Sequence, residues 1–125
     1  MAQKVVIADI VDGWLLVDEY GYIIDLNYVA QKILRGLSVQ IGGELNTLIQ
    51  EWPVLEKFNE GSGETIETFR NYTSGRCYYE IKKILLEKNE ISFGQIILFQ
   101  DITLKKKAVL EAWNKKKKQL SEKNV

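Results

Sequence analysis

Phe93-Gly94-Gln95-Ile96-Ile97-Leu98-Phe99-Gln100-Asp101-Ile102-Thr103 is the stretch from which the rest of the chain is read. Ile96 to Phe99 is an unbroken apolar, β-prone run, and Gln100 and Asp101 end it. A short strand that is apolar throughout is expected to be buried on both faces, so to lie centrally in a sheet. The chain then turns to helix formers. Leu104 to Leu120 is too charged to be core, and it reads as a helix that leaves the globule.

Working outward, composition sets the frame. With 125 residues, 46% hydrophobic content and one proline, the chain is one domain with a real core and no signature of disorder. The formal net charge is zero, but it is divided unevenly. Lys105 to Lys123 holds eight lysines against Glu111 and Glu122, while the remainder has nine Lys and Arg against fifteen Asp and Glu. An acidic globule with a basic exit helix is therefore expected. The single cysteine, Cys77, rules out an internal disulfide framework and fits a reducing, cytoplasmic setting, although a parent protein could be membrane-anchored. Met1 to Ala8 does not read as a signal peptide, because Asp9 interrupts its short apolar run. No run approaches the ~20 apolar residues needed to span a bilayer. There is no histidine. That removes histidine acid/base catalysis, histidine-ligated haem and the usual zinc sites.

Taken in order, residues 1–12 read as a helical lead-in, with Val6/Ile10 and Ile7/Val11 as i,i+4 pairs. Trp14 to Val17 and Tyr22 to Leu26 form a hairpin across Asp18-Glu19-Tyr20-Gly21, whose Asp at the first and Gly at the fourth place suit a type I turn. Asn27 is a good N-cap for a helix marked by Val29, Ala30, Ile33, Leu34 and Leu37 and stopped by Gly36. Gly42-Gly43 breaks the chain. Leu45, Leu48 and Ile49 mark one further helical turn, and Pro53 begins another with Val54, Leu55 and Phe58 on one side. Thr65 to Tyr72, Cys77 to Leu86 and Phe93 to Gln100 are three strands joined by turns at Thr73-Ser74-Gly75 and Glu87 to Glu90. The order ββ, short helices, βββ, exit helix indicates an α+β fold with helices on one face of an antiparallel sheet.

In that order the chain resembles a PAS sensory domain over about residues 10–110. The matching residues are Asp12-Gly13-Trp14-Leu15-Leu16-Val17-Asp18, Gly21-Tyr22-Ile23-Ile24, Leu26-Asn27, Ala30 and Ile33-Leu34. They continue with Ile41-Gly42, Tyr79-Glu80-Ile81, Gly94, Ile97 and Gln100-Asp101-Ile102-Thr103-Leu104-Lys105-Lys106. The resemblance implies a five-stranded antiparallel sheet, helices over one face and a pocket between them. Residues 13–103 would be the sensor domain and 104–125 a basic signalling helix. It also implies a junction at Asp101-Ile102-Thr103 that passes conformational change to that helix. Such domains commonly precede histidine kinase or diguanylate cyclase output modules in two-component and related systems, and often form homodimers. Lys83-Ile84-Leu85-Leu86 stands where relatives often have Ser-Pro-Leu after the Tyr-Glu-Val stretch, and Tyr28-Val29 opens the first helix where proline is frequent. Both departures remove sub-family clues without disturbing the fold.

The candidate site residues follow. Leu48, Trp52, Leu55 and Phe58, with Ile33, Phe69, Tyr79 and Ile97, form either a ligand pocket or, more simply, a filled core. Trp52 or Tyr79 can offer one hydrogen bond to a ligand or satisfy its own buried tip. Asn27 either touches a ligand or only caps its helix. Cys77 sits at a strand start rather than on a mid-domain helix, which argues against cysteinyl-flavin chemistry and leaves it a packing residue. Non-covalent flavin stays open, and the cofactor, if any, is not legible. No nucleophile–base pair, phosphate loop or metal cluster appears, so no catalysis is expected. Asp101 and Thr103 are candidates to cap the exit helix. That helix carries Val109, Ala112, Trp113, Lys116 and Leu120 as a lysine-containing seam, a poor coiled coil unless a longer parent continues it. A homodimer through the N- and C-terminal helices, a downstream output domain and a small-molecule ligand are the expected partners. The alternative is a module whose Lys105–Lys107 and Lys115–Lys118 dock on nucleic acid or anionic membrane, nucleic acid being the less favoured.

Overall fold

The computed structural model describes residues 12–60 and 65–123, without the side chains of 58–60 and 121–123. The helical lead-in expected over residues 1–12 lies outside the described residues, apart from Asp12.

Five strands make one antiparallel sheet: β1 (Gly13–Asp18), β2 (Ile23–Leu26), β3 (Thr65–Tyr72), β4 (Gly75–Lys88) and β5 (Ile91–Asp101). Their spatial order is β2-β1-β5-β4-β3, so β5 is the central strand, as its apolar run predicts. Among the described residues there are three α-helices, α1 (Tyr28–Ile33), α2 (Leu45–Glu51) and α3 (Thr103–Lys123). Pro53 opens a 3-10 helix over Pro53–Glu60 rather than an α-helix. The architecture is α+β, with α1, α2 and the 3-10 helix over one face of the sheet.

The core is the face those helices cover. Leu15 and Val17 of β1, Ile81 of β4 and Ile97 and Phe99 of β5 point into it, opposite Ile33, Leu34, Leu48 and Leu55. Phe99 is fully buried, and its ring stacks on Trp52 at 6.2 Å between centroids. Each such side chain contributes about 1.5–3 kcal/mol by leaving water.

The expectation that Ile96 to Phe99 is buried on both faces is corrected here. Ile97 and Phe99 are buried, but Ile96 and Leu98 are only half-buried on the opposite face. Cross-strand register places them beside Leu16 and Trp14. The four line an apolar hollow of about 350 Å³ that no described element covers. An apolar run reports that both faces avoid water, not what covers each.

Two glycines fix the geometry around β1. Gly94 has φ +133°, and a Cβ there would stand 2.1 Å from the carbonyl oxygen of Val17. Its lack of a side chain lets β5 approach β1. Gly13 lies against α1, where a Cβ would meet the Ala30 nitrogen at 2.9 Å. The hairpin turn is set by Asp18, whose Oδ1 accepts the N–H of Tyr20 and of Tyr22. The free side of β2 is covered by backbone: Ile23 N–H bonds the Gly43 carbonyl and Gly42 N–H bonds the Ile23 carbonyl. The edge thus offers few open groups to another strand.

Candidate functional site

Ile33, Leu48, Trp52, Leu55, Tyr79 and Ile97 lie together, all buried in the core. Phe58 has its side chain outside the described ones. Phe69 does not join the group. It is 44% exposed on the far face of the sheet, tilted against Tyr78 and under the guanidinium of Arg76. Strand alternation explains the correction. Ile66, Arg70 and Tyr72 share the inner parity of β3, and Phe69 has the other.

The polar tip of the site is engaged by the protein itself. The Tyr79 hydroxyl is 3.0 Å from that of Tyr72, and Tyr72 donates to the Ile33 carbonyl at 2.6 Å. Burial, then Tyr72, pushes the Tyr79 phenol far above its ordinary value, so it stays protonated. Among the described residues no buried side-chain polar atom lacks a partner.

Arg70 is the site residue that the sequence reading missed. Its Nη1 donates to the carbonyls of Ile33 and Arg35, closing the C-terminal end of α1. The guanidinium also lies over the Trp52 and Tyr72 rings. A cation at orphan helix carbonyls complements both their hydrogen-bonding need and the dipole. Its strand parity with Tyr72 was the available signal.

Asn27 does more than cap. Its Oδ1 accepts the N–H of Ala30 at 3.0 Å and of Trp14 at 2.9 Å, and its Nδ2 donates to the Asp12 carbonyl at 2.9 Å. The amide therefore ties the start of α1 to the start of β1, and three polar contacts with the protein engage it.

At the junction, Asp101 Oδ1 accepts the Thr103 N–H at 2.8 Å, an Asx turn that satisfies the first free N–H of α3. Thr103 acts differently. Its Oγ1 accepts the backbone N–H of Tyr78 at 3.0 Å, and Ile102 N–H donates to the Tyr78 carbonyl at 2.9 Å. Ile102 is buried, so a hydrophobic anchor and the two hydrogen bonds to Tyr78 hold the junction of β5 and α3 against β4. Beyond it the helix runs outward. Lys106 pairs with Glu67, while Leu104 is 85% and Trp113 61% exposed. Among the described residues no helix is long and apolar enough to cross a membrane, and no cluster of three or more His, Cys, Asp or Glu suits a metal.

The sequence matches no protein-family model and no curated protein. Solved structures do match. One is the PAS domain of a protein from Colwellia psychrerythraea, 23% identical, with a TM-score of 0.54, covering 82% of this chain and 96% of that one. Another is the sensor region of a sensor histidine kinase, 17% identical, with a TM-score of 0.56, covering 75% of this chain. The match spans only 40% of that second chain. Element order, sheet topology and these likenesses agree: the chain has the PAS fold.

Proposed function

We propose that the chain is a sensory signal-input and dimerisation module of a signal-transduction protein such as a sensor histidine kinase, with no catalysis of its own. One observation carries this reading: the exit helix is bonded at its base to a strand other than the one it continues, and beyond the Lys106–Glu67 pair its residues 107–120 are exposed. A stimulus that repacks the helical layer against Ile97 and Tyr79 would move β4 and β5 relative to one another. Asp101, Ile102 and Thr103 would convert that shift into a new angle of α3. The likeness to the sensor region of a histidine kinase supports the same reading. The domain would work in the cytoplasm, upstream of an output domain.

Dimerisation has surface to use. Trp14, Leu16, Ile96 and Leu98 form one apolar face, and Val109, Trp113 and Leu120 are exposed along α3. The N-terminal segment would join them. Sedimentation of the 125-residue chain should show a dimer that dissociates on Leu98→Lys or Trp113→Lys. A monomer at high concentration would remove the dimerisation half of the proposal.

The basic helix favours a second reading. Of Lys105–Lys107 and Lys115–Lys118, all but Lys106 are exposed. Such a helix would bind anionic vesicles or nucleic acid in a salt-sensitive way. Replacing all seven lysines by glutamine should then abolish retention; no retention of the native chain at low salt eliminates this reading.

A further inference from the structure

A second hollow, of about 630 Å³, opens between α1 and the base of α3, at the margin of the core. Its volume falls within the roughly 300–1,000 Å³ usual for small-molecule sites. The floor is apolar, Val29 and Ile33 from α1 and Ile102 from the junction, with the exposed Leu104 at the rim. Three cations border it, Lys32, Arg35 and Lys105, against one carboxylate, Asp101. That carboxylate already accepts the N–H of Thr103. Among the described residues no ion pair holds any of the three cations. Arg35 is held in place: its guanidinium lies 3.8 Å from the Tyr72 ring centroid, and one Nη1 donor bonds the Lys32 carbonyl. A guanidinium has five N–H donors, so the rest of the fork is not committed by that bond.

We propose that this cleft binds a small free anion with an apolar body, an aromatic or aliphatic carboxylate or phosphate monoester. The apolar part would lie on Val29, Ile33, Ile102 and Leu104, and the anion would meet Arg35 with Lys32 and Lys105. An apolar floor desolvates the ligand body, and a pre-stacked guanidinium recognises a planar or tetrahedral oxyanion in two-pronged fashion. The floor includes the junction itself. Occupancy therefore clamps α1 to the base of α3 and selects one angle of the exit helix. That consequence rests on the sensory reading above, whereas the binding does not.

The test uses the full chain, labelled for amide NMR and titrated with 1-naphthyl phosphate, neutral 1-naphthol and inorganic phosphate. The expected result is shifts at Lys32, Arg35 and Thr103 to Lys105 with the naphthyl phosphate, and at least about tenfold weaker binding of either fragment. Lys32→Gln with Lys105→Gln, both surface changes, should weaken binding about tenfold or more without altering the melting temperature. Val29→Trp should block it by filling the floor. Equal binding of naphthol, shifts confined to Trp14, Leu16, Ile96 and Leu98, or no shift at millimolar ligand would each overturn the site. Competition by phosphatidylglycerol vesicles would overturn the assignment to a free molecule. Cleft shifts with no change in amide exchange along Lys107 to Lys118 would leave the site standing and sink the relay.

Discussion

The Thr103 hydroxyl accepts the backbone N–H of Tyr78 at 3.0 Å, which fastens the first residue of α3 to β4. The helix is covalently continuous with β5, so it is tied to two adjacent strands at once. A relative displacement of those strands cannot occur without either turning the helix or breaking this bond. The junction thus holds the helix base against β4 as well as β5.

Thr103→Val keeps the shape and removes the acceptor. The Tyr78 N–H then loses its acceptor, at a cost of about 1–3 kcal/mol if water does not replace it. Amide exchange should accelerate at Tyr78 and in the first turn of α3 while the core strands keep their protection. Thr103→Ser should restore the native pattern. Unchanged exchange in Thr103→Val would mean that the hydroxyl fastens nothing.

Arg70 should behave as part of α1 although it sits on β3. Arg70→Ala strips the Ile33 and Arg35 carbonyls of a charged donor and should destabilise by about 1.5–3 kcal/mol in urea unfolding. Arg70→Lys keeps the charge without the planar fork, and should recover only part of that loss. Because Tyr72 donates to the same Ile33 carbonyl, Tyr72→Phe and Arg70→Ala should be non-additive.

Gly94 gives the sharpest backbone test. Gly94→Ala would push a methyl into the Val17 carbonyl at a φ that alanine avoids. The β1–β5 pairing is the middle of the sheet, so the loss should exceed about 2 kcal/mol and expose the core. Retention of the native melting temperature would show that the two strands can part without cost.

Much of this fold is legible in the sequence. The period-2 and period-3.6 patterns, the Asp18–Gly21 turn and the Asn27 cap are local signals, and local signals locate elements. The central place of β5 also followed, because an apolar strand needs cover. What stayed hidden depended on pairing between distant segments. The size of Phe69 suggests the interior, but its strand parity puts it on the far face. Arg70 was passed over because a charge on a strand reads as solvent-facing until the helix end above it is known. The contact of Thr103 with Tyr78 spans twenty-five positions and leaves no periodic trace. The apolar cover expected on both sides of Ile96 to Phe99 was found on one, since hydropathy cannot say which element supplies it.

Glu51 links the end of α2 to the loop after α1, and pH should report it. Its carboxylate accepts the backbone N–H and the hydroxyl of Ser38, which hold its pKa below the ordinary 4.5. The folded value is depressed, so the stabilisation is complete above the unfolded value and disappears as pH falls through the folded one. The margin in melting temperature of the native chain over Glu51→Gln should therefore be constant near neutral pH and shrink below about 4.5. The site is exposed, so the effect is expected to be modest and not strongly reduced by salt, since neutral donors supply it rather than an opposite charge. A margin that grew on acidification would reverse the assigned direction of the shift. Ser38→Ala should reproduce only the smaller part of the loss at neutral pH and keep most of the acid dependence, because the backbone N–H, the larger of the two causes, still holds the carboxylate.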